Sequence, residues 1–282
     1  MPSLARESGD EKARKVIDAA VTAMGGDAYL QVRNSQSSGR YFFFRKGRKG
    51  FTRYRDWTVY DPVKSRHERG KNEKEQFVAV HNMELNKGWT LEGEFEVEEI
   101  PDKELDSWLK AVRKDLNFII KQRLDEEGMS LYYYGPDDIA GQGEFEAVEF
   151  LDASNNSVVV FFNLSSHLPE KVENEYTDDT GLRHKSEWEF YNWHTIQGVH
   201  TPLRTDIYLD GEISQQFFIE DLAYNLQIPE SQFLEPAIDE KKKSKWEEKM
   251  AKRLKKQEER DAKAQREAEK EREKRRKGRR SD

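Results

Sequence analysis

The sequence predicts an α+β protein, one large antiparallel sheet with helices laid along one face. Three observations carry that prediction. The first is strict alternation in residues 180–236: Leu182, His184, Ser186, Trp188 and Phe190 share one face, and Arg183, Lys185, Glu187 and Glu189 the other. Val199, Leu203, Ile207 and Leu209 then alternate with Arg204, Asp206 and Tyr208, and Phe217 and Ile219 with Phe218 and Glu220. A two-residue period rich in β-branched and aromatic side chains means extended strands with one face out of water. The second observation is the turn chemistry. Gln197-Gly198 and Asp210-Gly211 separate these runs, and Asp-Gly is the dipeptide a type I′ hairpin prefers. The third is that just two long stretches of the first 240 residues repeat their apolar positions at helical spacing, and each shows a single stripe.

Taken in order, the chain opens with a helix that Ser8 or Asp10 can cap. Ala13, Ile17, Ala20, Val21 and Met24 form its stripe, and Gly25-Gly26 ends it. Strand-like runs follow at 35–45, 50–60, 65–69, 76–81 and 89–97. Gly47, Gly50, Asp61-Pro62, Gly70, Asn82 and Gly88 punctuate them at the short spacing of a meander, not that of helix-linked parallel strands. A second helix is expected from Pro101 to Gly128, with Leu105, Leu109, Val112, Leu116, Ile119, Ile120 and Arg123 or Leu124 as its stripe. Strands resume at 129–134, 144–151, 157–164 and 170–177, with turns at Gly135-Pro136, 152–156 and 167–169. The reading amounts to about ten or eleven strands and two main helices.

Composition separates two domains. The chain has 282 residues and no cysteine, so disulfides and thiolate sites are excluded. Its net charge of −7 is uneven: residues 241–282 hold 20 Lys/Arg and 10 Asp/Glu, a net of +10, leaving −17 on residues 1–240. An acidic globular domain, 1–238, and a charged helical or disordered tail, 239–282, are expected. No run approaches the roughly 18 apolar residues of a spanning helix. Residues 1–20 lack the continuous apolar core of a secretion signal. The expected compartment is the periplasm or cell envelope if an export signal precedes this chain, and the cytoplasm otherwise.

Several phrases form a longer pattern. They are Ala23-Met24-Gly25-Gly26, Leu168-Pro169-Glu170-Lys171-Val172, Tyr191-Asn192-Trp193, Ile196-Gln197-Gly198-Val199 and Pro202. After them come a strand, Asp210-Gly211, a strand, then Asp221-Leu222, Asn225, Ile228-Pro229 and Phe233. Over residues 10–236 this pattern resembles the outer-membrane lipoprotein carrier superfamily (LolA/LolB-like, lipoprotein-sorting-protein-like). The resemblance implies an incomplete β-barrel, a curved sheet whose concave side is closed by a helical lid. In the best-known members acyl chains of lipoproteins lie between the two. Those carriers also hold the lid with a basic side chain inside the half-barrel; Arg40, Arg45, Arg53 and Arg55 lie in predicted strands, and none is assigned the role.

The physics of such a site is simple. Each CH₂ removed from water contributes about 0.8 kcal/mol, so a long chain binds without a polar anchor. The residues expected to face the hollow are Tyr41, Phe43, Val160, Phe162, Trp188, Phe190, Leu203, Ile207 and Phe217 from the sheet, and Leu109, Val112 and Leu116 from the lid. The competing reading is that all twelve fill an ordinary core.

Nothing points to an enzyme, and no metal or cofactor is expected. The histidines at 67, 81, 167, 184, 194 and 200 include no His-x-x-x-His pair, although His184, His194 and His200 could meet across strands. Gly-x-Ser-x-Gly and phosphate-loop motifs are absent. The Asp-Thr-Gly within Asp178-Asp179-Thr180-Gly181 occurs once, where a hairpin turn is expected.

The tail carries Trp246, Met250 and Leu254 at helical spacing and ends in a basic cluster, residues 274–280. Such clusters attract anionic lipid surfaces or nucleic-acid phosphates; for an envelope carrier the lipid surface fits better. Two functions follow. One is non-enzymatic binding or transport of a lipid or acylated lipoprotein. The other is a structural or interaction module with a filled core whose tail recruits an anionic partner.

Overall fold

Thirteen strands form a single antiparallel sheet in the computed structural model, which describes residues 9–45, 48–72, 74–136, 144–178, 180–255 and 257. They are β1 (Asn34–Arg45), β2 (Arg48–Tyr60), β3 (Val63–Arg69), β4 (Phe77–Asn82), β5 (Lys87–Glu92) and β6 (Glu96–Glu99). After a helical interruption come β7 (Ser130–Tyr134), β8 (Phe145–Leu151), β9 (Ser157–Asn163), β10 (Pro169–Thr177), β11 (Arg183–Ile196), β12 (Val199–Leu209) and β13 (Glu212–Tyr224). Their order is β6-β5-β4-β3-β2-β1-β13-β12-β11-β10-β9-β8-β7. The first and last strands are therefore neighbours in mid-sheet, while the consecutive strands β6 and β7 form opposite, unjoined edges. The count exceeds the ten or eleven expected. One reason is that the 89–97 run folds at Gly93, which adopts φ 59°, and becomes both β5 and β6.

The register assigns the faces. Val148, Val160, Val172 and Trp188 lie side by side across β8 to β11, and the cross-strand sequence continues through Ile207. Phe190, Thr205, Phe217 and Tyr41 form the adjacent row. Helix α1 (Gly9–Ala23) covers the β7–β8 end of this inner face, burying Ala13, Val16, Ile17 and Ala20 against β7 and β8. The expected Ser8 cap lies outside the described residues.

The single second helix expected between Pro101 and Gly128 is corrected to three pieces. Helix α3 (Asp102–Val112) stops, the chain turns, and α4 (Leu116–Phe118) runs into a π-helical turn, Ile119–Arg123. The break has a chemical cause. Asp115 Oδ1 accepts from the Phe118 amide at 3.1 Å, and a carboxylate doing so starts a new helix. Arg123, read as part of an apolar stripe, is buried through its charge: it donates to Glu126 at 2.6 Å, Asp152 at 2.9 Å and the Arg113 carbonyl at 2.6 Å.

The phrases at the two ends of the domain meet in space. A side chain at Gly25 would sit 2.3 Å from the Gly198 carbonyl oxygen, so Gly25 is needed where α1 turns toward the short helix α2 (Asp27–Leu30). The His200 amide donates to the Met24 carbonyl at 2.9 Å beside it. Gln197 clamps Tyr224, its Oε1 accepting from the Tyr224 amide at 2.7 Å, and Asn225 Oδ1 accepts from the Arg33 amide at 2.8 Å.

The opposite face is covered at its β3–β4 end by residues 228–236. Phe233 is 1% exposed; Asn82 Nδ2 donates to its carbonyl at 3.1 Å, and Lys64 Nζ to Glu230 at 2.8 Å. The chain forms two compact units, Met1–Pro236 and Ala237–Asp282. In the second unit residues 240–255 are helical; the 274–280 basic cluster lies outside the described residues.

Candidate functional site

Between α2, α4, the π-helical turn and strands β10 to β13 lies a cavity of about 120 Å³. Its apolar wall comes from Met24, Val32, Leu116, Trp188, Phe190 and Val199, and its polar wall from Tyr29, Tyr60, Asp115, Lys121, Thr201 and Tyr224. The sheet supplies Trp188, Phe190 and Val199 to the first wall, and Met24, Val32 and Leu116 come from the helical side. The second exists because the broken helix turns Asp115 and Lys121 toward α2.

Most polar groups of that wall satisfy one another. Tyr29 Oη donates to Asn117 at 3.0 Å, the Tyr224 and Thr201 hydroxyls are 2.7 Å apart, and Asp115 caps α4. Lys121 is different. Its ammonium stands 4.5 Å above the rings of both Tyr29 and Tyr60 and makes one long hydrogen bond, 3.4 Å to the Val32 carbonyl. Burial lowers its pKa to about 8, only partly opposed by the charge of Asp115. Burial likewise raises the Asp115 carboxyl against the pull of the Phe118 and Asn117 amides, and holds Tyr29, Tyr60 and Tyr224 above the usual phenol range. Trp193 also lines the cavity, and its indole N–H is the one buried side-chain polar group without a partner among the described residues.

Of the twelve residues expected at the hollow, Leu116, Trp188 and Phe190 line this cavity. Val160 and Phe162 are fully buried, and both belong to the core cluster that also holds α1. Tyr41, Phe43 and Phe217 lie further along the same face with Tyr54, Tyr41 and Phe217 ring centres being 4.8 Å apart. Ile207 is buried, and Leu203, Leu109 and Val112 are half-buried.

A basic side chain on the inner face is Arg69, which was not among the four considered from sequence. Its guanidinium lies 4.3 Å from the Tyr41 ring centre and bonds His67, which in turn bonds Asp56. Arg40 and Arg53 pair with Glu220 on the other face, where Arg55 lies over Trp57; the Arg45 side chain lies outside the described residues. The missed residues left a faint signal. Ser65, His67 and Arg69 alternate in β3, but a polar alternation does not say which face is inward. Lys121 and Trp193 gave none, because the helix break and a left-handed Asn192 (φ 59°) decide where they point.

The histidines are held by neighbouring polar groups. His184 lies between Asp178 (3.3 Å) and Asp210 (2.7 Å), His194 meets Asn192 at 3.0 Å and His200 meets Thr195 at 2.9 Å. Asp178 builds a turn, accepting from the Thr180 and Leu182 amides at 2.9 Å; its neighbour Asp179 lies outside the described residues. No helix among the described residues is long and apolar enough to cross a membrane.

No family model and no curated protein sequence matches the chain. Solved structures do. A DUF1329 family protein from Desulfovibrio piger superposes with a TM-score of 0.54 at 15% identity, over 79% of this chain and 97% of that one. A putative outer membrane lipoprotein-sorting protein domain from Vibrio parahaemolyticus gives 0.50 at 14% identity, over 78% and 97%. A LolA superfamily protein from Nitrosomonas europaea gives 0.49 at 13%, over 79% and 97%. The first two show a shared fold, and the open antiparallel sheet with helices expected from the sequence is present.

Proposed function

We propose that the protein is a non-enzymatic binder or carrier of a lipid or acylated ligand, held between the inner face of the sheet and the α3–α4 segment. The observation that carries the reading is the cavity itself, open beneath Leu116 at the one place where the helical cover is broken into short pieces. Its 120 Å³ is the space of about four waters, enough for the head of a chain and its first carbons. A longer chain takes the places of Leu116, Val112 and Leu109. A dodecyl chain brings about 9 kcal/mol of gross burial to that exchange, on the scale of the cost of association. The carrier-like fold supports an envelope setting, with the 274–280 cluster as the element that meets an anionic membrane surface.

The test is displacement of a fluorescent fatty acid from the full chain by dodecanol and by dodecanoate. Micromolar binding supports the reading, and no binding of any amphiphile removes it. A structural or interaction module takes its support from the solid packing of Val160 and Phe162 beneath α1. Under that reading amphiphiles do not bind, and removing residues 240–282 abolishes function while the body stays folded.

A further inference from the structure

We propose that the cavity holds the carboxylate of a fatty acid, with the Lys121 ammonium as its counter-charge and the Trp193 indole N–H as a hydrogen-bond donor. This rests on the ligand-binding reading above and narrows it from acyl chains in general to chains that end in an acid.

The wall has donors to spare and its acceptors are occupied. Asp115 accepts from the Phe118 amide, Asn117 Oδ1 from the Tyr29 hydroxyl, and Thr201 and Tyr224 bond each other. What remains is a lysine with no ion pair among the described residues and a buried indole N–H with no partner. Both line the same cavity, and one kind of group suits both: an anionic oxygen acceptor. The tyrosine rings beneath Lys121 hold its ammonium by cation–π attraction and supply no opposing charge. The volume admits a carboxylate and the first methylenes, and Met24, Val32, Leu116 and Phe190 line the remainder as an apolar sleeve suited to those methylenes.

The experiment measures dissociation constants of dodecanoate, dodecanol and acetate for the full chain and for Lys121→Met, Lys121→Arg and Trp193→Phe. Dodecanoate is expected to bind the unaltered protein about tenfold or more tightly than dodecanol, a charge-assisted contact being the difference. Lys121→Met brings the ratio near one, Lys121→Arg retains it, and Trp193→Phe lowers it severalfold. Acetate binds far more weakly than dodecanoate. The preference fades as pH rises through about 8, where Lys121 loses its proton. Asp115, Tyr29, Tyr60, Tyr224 and His200 are the other ionisable groups of the wall. Equal affinity for acid and alcohol, or an unchanged ratio in Lys121→Met, overturns this inference alone. Acetate binding as tightly as dodecanoate also overturns it, identifying a small-acid site. Failure of both amphiphiles to bind overturns the carrier reading as well.

Discussion

Acidification is expected to loosen α3 from the sheet through one side chain, His81. Its ring stacks on Trp108 of α3, centroids 4.1 Å apart and planes 1° apart, while Nδ1 lies 3.1 Å from Ser65 Oγ. Burial, and secondarily the neighbouring His67, lower its pKa from 6.5 to about 4, so the folded protein holds a neutral ring at pH 7. The unfolded chain takes up that proton near 6.5. Between pH 6.5 and 4 the unfolded state therefore binds more protons. The stability contributed by neutral His81 is complete above 6.5 and is lost as pH falls toward 4. At about 1.4 kcal/mol per pH unit the loss approaches roughly 3 kcal/mol. Urea melts of the natural chain and of His81→Phe at several pH values from 7 to 4 isolate it. Phenylalanine keeps a ring against Trp108 and does not titrate, and carboxylate effects common to both proteins cancel in the difference. The natural chain is expected to lose about 3 kcal/mol relative to the variant over that range; stability curves that stay parallel refute the argument.

Gly39→Ala should cost about 2–3 kcal/mol in denaturant melts, because its methyl group would lie 1.9 Å from the Phe218 carbonyl oxygen on the adjoining strand; an unchanged midpoint would mean that the β1–β13 pairing, whose register shifts between Ser38 and Gly39, relaxes freely. Arg123→Met removes a guanidinium only 5% exposed and takes from Asp152 its only ion-pair partner among the described residues, while Glu126 keeps Arg113; a loss of about 2–4 kcal/mol is expected by the same measurement. Phe233→Ala, at a residue 1% exposed, should cost about 3–5 kcal/mol and raise protease sensitivity after Pro229. Truncation after residue 238 should leave the melting temperature of the body within a few degrees, read by circular dichroism; a large drop would show that the tail is part of its core.

The strands and their faces were legible because a half-buried strand writes its burial into every second residue. Phe77–Asn82 shows this directly, with Val78, Val80 and Asn82 buried and the residues between them half-buried. The phrases ending in Gly26 and Val199 were legible as a pattern, and the structure supplies their reason: the backbone at Gly198 passes too close to Gly25 for a side chain there. The helical segment was misread at Asp115. Helical periodicity runs unbroken through Leu109, Val112 and Leu116, and a single carboxylate that prefers to cap overrides it. The site suffered most from that error. Leu116, Trp188 and Phe190 were found because apolar residues declare themselves. Lys121, Trp193 and Arg69 were not, since a polar side chain facing inward looks in sequence like one facing water.

Because β6 and β7 are consecutive in the chain yet stand at opposite edges of the sheet, the segment joining them spans the mouth as a handle spans a bucket. Both its feet are stitched into edge strands. It is therefore held at both ends and not hinged at one, and under the carrier reading proposed above a ligand would enter as the middle of the segment bows outward. On that reading the slack in the arch between Glu99 and Ser130 would set the girth of the ligand, and lengthening it by a few residues near Arg113 is the change that would widen the choice.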